Sequence, residues 1–459
     1  MKKQQDNREL FESMPVGRAV RTMALPTILG QLIILVYSMA DTYFIGRTND
    51  PAAVAGASLI LPVFNLALSI SGLTGTGGGA LISRLLGQKD PENAGRVNSF
   101  SVLFSVLVAG LFSLGTFVFM EPLLKALGAG SAVFPHARDY ALWVIVAGGI
   151  PTVMVNVYSS LLRSVGASRP AAFGVMMGGV LNIVLDPLFM FVLLPEGMEI
   201  FGAGVATFLS NVISAVYFLV VVRRLGPDSP LRHPLRDLPE RHLVWEVLKV
   251  GIPAATTAFL FDMDYVVIGR LMAGHGDTAL AAIGIVLKVE RLPQNIIIGA
   301  AMGMMPIIAY NYGAKNFERM DAARRYTLNA SLILGAVSTV LYFALAPSIM
   351  RLFIAEPQTV AVGSVFLRIR AAVTTLMAMC VFHVFLFNGM GRGGYALFLG
   401  VTRWAVLNIP MLFVMDRFFG MNGIAASQFT GDIPMFVISL VLYRRLCNKL
   451  IRERQTDAG

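Results

Sequence analysis

The sequence predicts an all-α integral membrane protein: twelve transmembrane helices in two six-helix bundles related by a pseudo-two-fold axis along the membrane normal. Three observations predict it. The 459-residue chain is 56% hydrophobic and only 14% charged, a balance that would force a very large exposed apolar surface on a soluble domain of this size. Its apolar runs are about twenty residues or longer, the length of a membrane-crossing helix rather than of the short alternating strands of a barrel. The second half also repeats the first. Ala40-Asp41-Thr42-Tyr43-Phe44-Ile45-Gly46-Arg47 returns as Met263-Asp264-Tyr265-Val266-Val267-Ile268-Gly269-Arg270, Val180-Leu181-Asn182-Ile183 as Val406-Leu407-Asn408-Ile409, and Gly204-Val205-Ala206 as Gly423-Ile424-Ala425. Each half holds an even number of spans, so both copies start on the same side of the membrane and form parallel repeats.

In chain order, the first half is predicted to span at 23–46, 52–82, 97–119, 137–160, 170–194 and 200–222. The first span opens at Leu25-Pro26, where a proline begins or kinks a helix, and carries Asp41. The second gathers Gly72, Gly75, Gly77, Gly78 and Gly79, small residues that let helices approach closely. The third is unbroken and apolar, the fourth carries Asn156, the fifth Asn182 and Asp186, and the sixth ends at Arg223. A polar connection rich in proline, 223–243, is expected to be an extended linker. The second half is predicted to span at 244–269, 278–309, 326–346, 363–388, 394–415 and 421–443. The seventh span opens at Ile252-Pro253 and carries Asp262 and Asp264; the eighth carries Lys288, Glu290 and Arg291 with Gly299 and Gly303. Cys380 and His383 fall in the tenth, Arg403 in the eleventh and Asp432 in the twelfth. The domains expected are thus 1–22, an N-terminal segment; 23–222 and 244–443, the bundles; and 444–459, a tail.

Charge sorts by loop. One set of alternate helix ends carries Arg18, Arg21, Arg84, Lys89, Arg96, Arg163, Arg169, Arg223, Arg224, Arg319, Arg324 and Arg325 among others. The opposite ends hold chiefly Arg47, Lys125, Arg138, Arg270, Arg351, Arg368, Arg370 and Arg417. The positive-inside rule then puts both termini and the central linker in the cytoplasm of a cell whose inner membrane holds the chain. The net charge of +10 is spread over many loops, which argues against a nucleic-acid partner. The lone cysteines, Cys380 and Cys447, imply no disulfide framework and no metal spacing. No paired His/Glu motif or glycine-framed serine suggests an intramembrane enzyme. No obligate protein partner is evident, and the first apolar run reads as a retained span.

A carboxylate in the hydrocarbon region costs a few kcal/mol or more, so it defaults to a functional site facing the bundle interior. Asp41 and Asp186 each lie about sixteen residues into their predicted helices, roughly 24 Å along, at similar depth. Asn182 sits one turn before Asp186 on the same face, and Asn156 adds an amide in the same half. Such a pair is expected to hold one proton between its members, or to form a Na⁺ site with amide and backbone oxygens; the residues do not choose between these. In the second half Asp262 and Asp264 cannot share a helix face, so at most one faces the interior. Lys288, Glu290 and Arg291 are expected to satisfy acidic partners across a helix interface. His383 is a further candidate proton carrier. Duplicated helical halves are how many secondary transporters are built, with a substrate path between them, and the 24 Met and 30 Phe residues suit a pliable cavity.

Leu25-Pro26 with Asp41-Thr42 and Ile45-Gly46, Leu86-Gly87-Gln88-Lys89-Asp90, Asn182-Ile183-Val184-Leu185-Asp186-Pro187 and Pro306-Ile307-Ile308-Ala309-Tyr310-Asn311-Tyr312-Gly313-Ala314-Lys315 resemble the multidrug and toxic compound extrusion (MATE) family along essentially the whole chain. The resemblance implies an antiporter that exports small cationic or amphipathic compounds in exchange for H⁺ or Na⁺, with no other cofactor. It implies a first-half cation site at Asp41, Asp186, Asn182 and Asn156. Some members carry a Na⁺ site in the second half with acids in the seventh and tenth spans. Here Asp262 or Asp264 supplies the first, while the tenth offers His383 and no acid, which shifts weight to the first half. The related flippases of lipid-linked oligosaccharides need a cationic cavity, and the excess of acids among span residues here favours cationic cargo.

Overall fold

In the computed structural model, which describes residues 9–48 and 50–457, with side chains through 446, every element is helical among the described residues. The Cys447 side chain and the outermost tails lie outside that range. In chain order the long helices are α1 Val16–Gly46, α2 Pro51–Gly87, α3 Pro91–Val118, α4 Phe134–Ala147 with Gly149–Ser164, α5 Ser168–Leu193 and α6 Glu199–Arg223. They continue with α7 Arg241–Ala273, α8 Asp277–Gly313, α9 Phe317–Arg351 and α10 Pro357–Ala371 with Thr374–Gly389. The last stretch, Gly393–Leu446, is 54 residues and at about 1.5 Å per residue would measure roughly 80 Å, far beyond a bilayer's hydrocarbon core of about 30 Å. It divides at Gly420, whose φ of 57° and ψ of −145° suit only glycine. The two arms are α11 and α12, which completes twelve spans.

Helices run past the apolar stretches that announce them. α1 begins at Val16 and continues through Pro26, and α7 begins at Arg241 and continues through Pro253, so neither proline marks a helix start. Hydropathy does not register the polar first turns that stand outside the hydrocarbon. The linker is not a free tether either. Asn98 Nδ2 donates to the Leu231 carbonyl at 3.4 Å and Ser99 Oγ to that of Pro234 at 3.0 Å, and Leu231 is buried against α3.

Each proline inside a helix removes an N–H and frees the carbonyl four residues earlier, and without water that carbonyl needs a donor from the protein. Three are met from a neighbouring helix. Pro26 frees Thr22, whose carbonyl accepts from Ser168 Oγ at 3.0 Å. Pro293 frees Val289, which accepts from the Tyr342 hydroxyl at 2.8 Å, and Pro347 frees Phe343, which accepts from Arg368 Nε at 3.1 Å. The repeat shows in the bends as well. α4 and α10 each bend by 48°, and a hydroxyl from the preceding helix serves each break: Ser113 of α3 donates to Ile145 at 2.9 Å, and Thr339 of α9 to Ala371 at 2.8 Å.

Helices α1–α6 pack among themselves, as do α7–α12, and the two sets meet through α1 and α2 against α7 and α8. The seam is built on glycine. A Cβ on Gly303 would lie 2.5 Å from Ala24 Cα, and one on Gly299 would lie 2.7 Å from Ile28 Cα. Gly251 faces the Leu73 backbone, Gly77 faces Val247, and Gly87 faces Tyr310 with equal intimacy. Arg84 and Glu246 pair across the same seam at 3.2 Å. These contacts lie in the half of the molecule that carries most of the arginines, so the two bundles are closed together at the Arg-rich face.

Tyr342→Phe is expected to cost about 1–3 kcal/mol, read as a lower unfolding temperature in detergent, because it strands the Val289 carbonyl. In a Pro293→Ala background, where a backbone N–H again reaches that carbonyl, the same substitution should cost only a few tenths of that. Equal losses in both backgrounds would assign Tyr342 a packing role alone.

Candidate functional site

Asp186 is fully buried on α5, one helical turn after Asn182. Asn182 Nδ2 donates to Asp186 Oδ1 at 3.0 Å and to Thr207 Oγ1 of α6 at 3.2 Å. Tyr140 of α4 stands next to both Thr207 and Asp41 of α1. Asp41 and Asp186 are neighbours, and Tyr37, one turn before Asp41, lies beside both. The structure therefore brings three of the four first-half residues into one relay of adjacent polar groups and adds Tyr37, Tyr140 and Thr207. Asn156 stands at its edge. Its amide donates to Thr152 of its own helix at 3.0 Å, and its side chain lines the same small cavity as Tyr37, Asn182 and Thr207.

No lysine or arginine pairs with Asp41 or Asp186 among the described residues, and Asp41 Oδ1 and Asp186 Oδ2 are buried with no hydrogen-bond partner there. Two adjacent carboxylates without a compensating base are costly in a medium that excludes water. Their oxygens, with the Asn182 carbonyl and two phenols, make a hard, anionic donor set. Such a set fits a proton shared by the pair or a Na⁺ ion.

The second half answers the same problem differently. Asp264, the repeat counterpart of Asp41, is fully buried and accepts from Asn408, the counterpart of Asn182, at 2.6 Å. Glu290 forms its ion pair across a helix interface, with neither of its sequence neighbours Lys288 and Arg291. Its partner is Arg370 of α10 at 2.5 Å, with both side chains 2% exposed, and its other oxygen accepts from Gln294 at 2.7 Å. Lys288 is exposed, and Arg291 lies over the Tyr265 ring at 4.8 Å beside the half-buried Asp262. Arg403 of α11 pairs with Asp432 of α12 at 2.7 Å. Arg403 and Asn408 share a π-helical turn, Thr402–Asn408, which re-aims side chains in a way that a 3.6-residue period does not anticipate. His383 takes no part. It is fully buried among the rings of Phe382, Phe387 and Tyr443, roughly 20 Å of helix beyond Arg370.

Between the bundles lies a cavity of about 310 Å³, walled by Leu68 and Gly72 of α2, Phe261 of α7, Met302 of α8, Met377 and Phe385 of α10, and Arg403 and Trp404 of α11. A smaller cavity of about 100 Å³ shares Ser71, Gly72, Thr76 and Met302 with it. The same small cavity shares Ile34, Asn156 and Val175 with the cavity of the Asn182 relay. A run of adjoining cavities thus leads from the Asn182 and Thr207 side of the relay to the apolar centre.

Residues 26–188 and 253–414 each match the MatE family model, one match per half. Among relatives, the multidrug export protein MepA of Staphylococcus haemolyticus is 27% identical over 449 residues, covering 97% of each chain. MepA of Staphylococcus aureus is 28% identical over 451 residues, covering 97% of this chain and 96% of its own. An outward-facing multidrug resistance MATE transporter of the MOP superfamily superposes with a TM-score of 0.90 at 22% identity, over 97% of this chain and 98% of its own. A MOP superfamily transporter from Pyrococcus furiosus, described as having reversed polarity in its binding pocket, superposes with a TM-score of 0.88 at 22% identity, over 96% and 98%. These likenesses show the fold.

Arg370→Met should leave Glu290 as an unpaired buried charge and cost about 3–5 kcal/mol. Adding Glu290→Gln should recover most of that loss. Thermal unfolding of the single and double variants checks both, and a silent single variant would remove the pair from the account of stability.

Proposed function

Because the chain belongs to the MatE family of membrane transporters, we propose that it exports cationic or amphipathic organic compounds across the cytoplasmic membrane in exchange for H⁺ or Na⁺, by alternating access of the two bundles. The observation that carries this reading is the uncompensated pair Asp41 and Asp186, whose neighbours Tyr37, Asn182 and Thr207 line the first of a run of adjoining cavities that ends in the central one. The multidrug export described for the relatives from Staphylococcus supports the cargo class. The Arg-rich face is taken as cytoplasmic on the positive-inside rule, with both termini there and the bundles closed against that side.

The coupling follows from charge. With both carboxylates ionised, the site attracts a cation from whichever side it faces. A proton or Na⁺ halves that charge, weakens the hold on a cationic substrate and favours the state that releases cargo outward. Asp41 lies on the same helix as Ala24 and Ile28, which form the seam with α8. The charge state of one carboxylate and the closure of the cytoplasmic face therefore act on one rigid element. The apolar central cavity, with its methionine and aromatic walls, accommodates unlike hydrophobic bodies.

Transport of a fluorescent organic cation in proteoliposomes, with pH and Na⁺ gradients imposed separately, tests the reading. Wild type should respond to one gradient, and Asp41→Asn should lose driven transport while keeping its folded elution profile and unfolding temperature. Normal gradient-driven transport by Asp41→Asn would sink the site assignment. No transport of several cations by folded wild type would sink the cargo class.

A further inference from the structure

Four arginines are buried among the described residues: Arg84, Arg163, Arg370 and Arg403. Arg84 has Glu246, Arg370 has Glu290 and Arg403 has Asp432. Arg163 is 7% exposed and has no carboxylate within ion-pair distance among the described residues. It sits in the last turn of α4, and side chains on a helix lean toward its N-terminus. The guanidinium is thereby aimed back into the protein rather than out to the Arg-rich face. Nη1 donates to Ser159 Oγ at 2.6 Å and Nη2 to Ser160 Oγ at 2.8 Å, so a group with five donors meets two neutral hydroxyls. The carbonyl end of α4 offers a buried cation only partial compensation, of order 1 kcal/mol.

The cavity that this guanidinium lines is the small one of about 100 Å³ between the carboxylate relay and the centre. Its polar wall is made of Thr27, Ser71 and Thr76 hydroxyls and Gln31 and Asn156 amides, with no carboxylate. The space is too small for a drug-sized molecule, which needs a few hundred Å³, and the right size for one functional group. It adjoins the 310 Å³ cavity that can hold an apolar body on one side and the cavity beside the acidic relay on the other.

We propose that Arg163 and this hydroxyl-lined cavity form a binding site for a small anionic group, either the carboxylate of an amphipathic substrate or a free halide. The inference rests on the transport reading and deepens it. A substrate bearing both charges places its apolar body in the central cavity and its anionic group on Arg163, with its cationic group toward the relay. Arg163 is then the residue that admits zwitterions to a path otherwise suited to cations.

The test uses a rhodamine carboxylic acid and its methyl ester, two dyes that differ by one negative charge, on wild type, Arg163→Gln and Arg163→Lys. Binding to purified protein is read by fluorescence polarisation and transport in proteoliposomes. Arg163→Gln should weaken binding and transport of the acid tenfold or more while the ester stays within twofold, and Arg163→Lys should keep most of the acid's binding. Replacing chloride by gluconate separates the two sources. If a free halide is the ligand, wild-type ester transport falls several-fold without chloride, and Arg163→Gln abolishes that sensitivity. Should Arg163→Gln fail to fold, chloride competition against the acid but not the ester on wild-type protein reads the same site. Equal effects on both dyes with no chloride dependence, or no effect on either, overturns the proposal. Loss of ester transport by folded wild type would instead count against the transport reading, and the polarisation data would still decide the fate of Arg163.

Discussion

A membrane interior offers no water to a stranded polar group, and that constraint organises this molecule at every scale. It makes each spanning element a helix. It then reaches the places where a helix cannot close its own ladder, at Pro26, Pro293 and Pro347 and at the bends of α4 and α10. There Ser168, Tyr342, Arg368, Ser113 and Thr339 supply the missing donors. Irregular backbone is thus kept where neighbouring helices can serve it, and the bent spans have a defined shape rather than a weakness. The glycine seam follows from the same absence of solvent. Two bundles in lipid gain little from apolar burial against each other, so they are held by close van der Waals approach, which glycine permits.

The fold was legible because hydropathy, loop charge and internal repetition all report on whole helices. Twelve spans and their pairing across the repeat need no side-chain detail. Helix ends were less legible, since the polar first turns of α1 and α7 lie outside the hydrocarbon and carry no apolar signal. The linker's docking on Asn98 and Ser99 was invisible for a related reason: a proline-rich composition announces an absence of helix, not of contacts.

At the site, the acids themselves could be found because a carboxylate in an apolar run is conspicuous. The partners that complete the relay, Tyr37, Tyr140 and Thr207, belong to residue types that are ordinary in membrane helices. Only their convergence from three helices gives them a role, and that convergence is a tertiary fact. The partner of Glu290 is hidden from the sequence for the same reason. Lys288 and Arg291 are close in sequence but face outward or toward Asp262, whereas Arg370 is eighty residues away and meets Glu290 across the α8–α10 interface. The π-helical turn of α11 hides Arg403 and Asn408 from any argument based on a regular helical period.

The two halves began as copies, and the difference between their charges bears on how work is divided. Both keep an aspartate on the first helix and an asparagine on the fifth, in Asp41 with Asn182 and in Asp264 with Asn408. In the second half Asp264, Glu290 and Asp432 share their surroundings with Arg370 and Arg403, which leaves a single negative charge in excess. In the first half Asp41 and Asp186 have no such company, which leaves two. A site whose charge is already balanced by fixed arginines gains little from binding a cation, because the arginines cannot leave. A site that lacks them must borrow its counter-charge, and a borrowed cation can be exchanged. The same reasoning applied with the opposite sign marks Arg163, the buried arginine that has no acid of its own. Among the described residues most buried charges are fixed in pairs, and two centres of opposite sign that no fixed counter-charge approaches, the Asp41 and Asp186 pair and Arg163, stand beside one run of adjoining cavities, where a mobile ion or a substrate's own charges supply what the protein withholds.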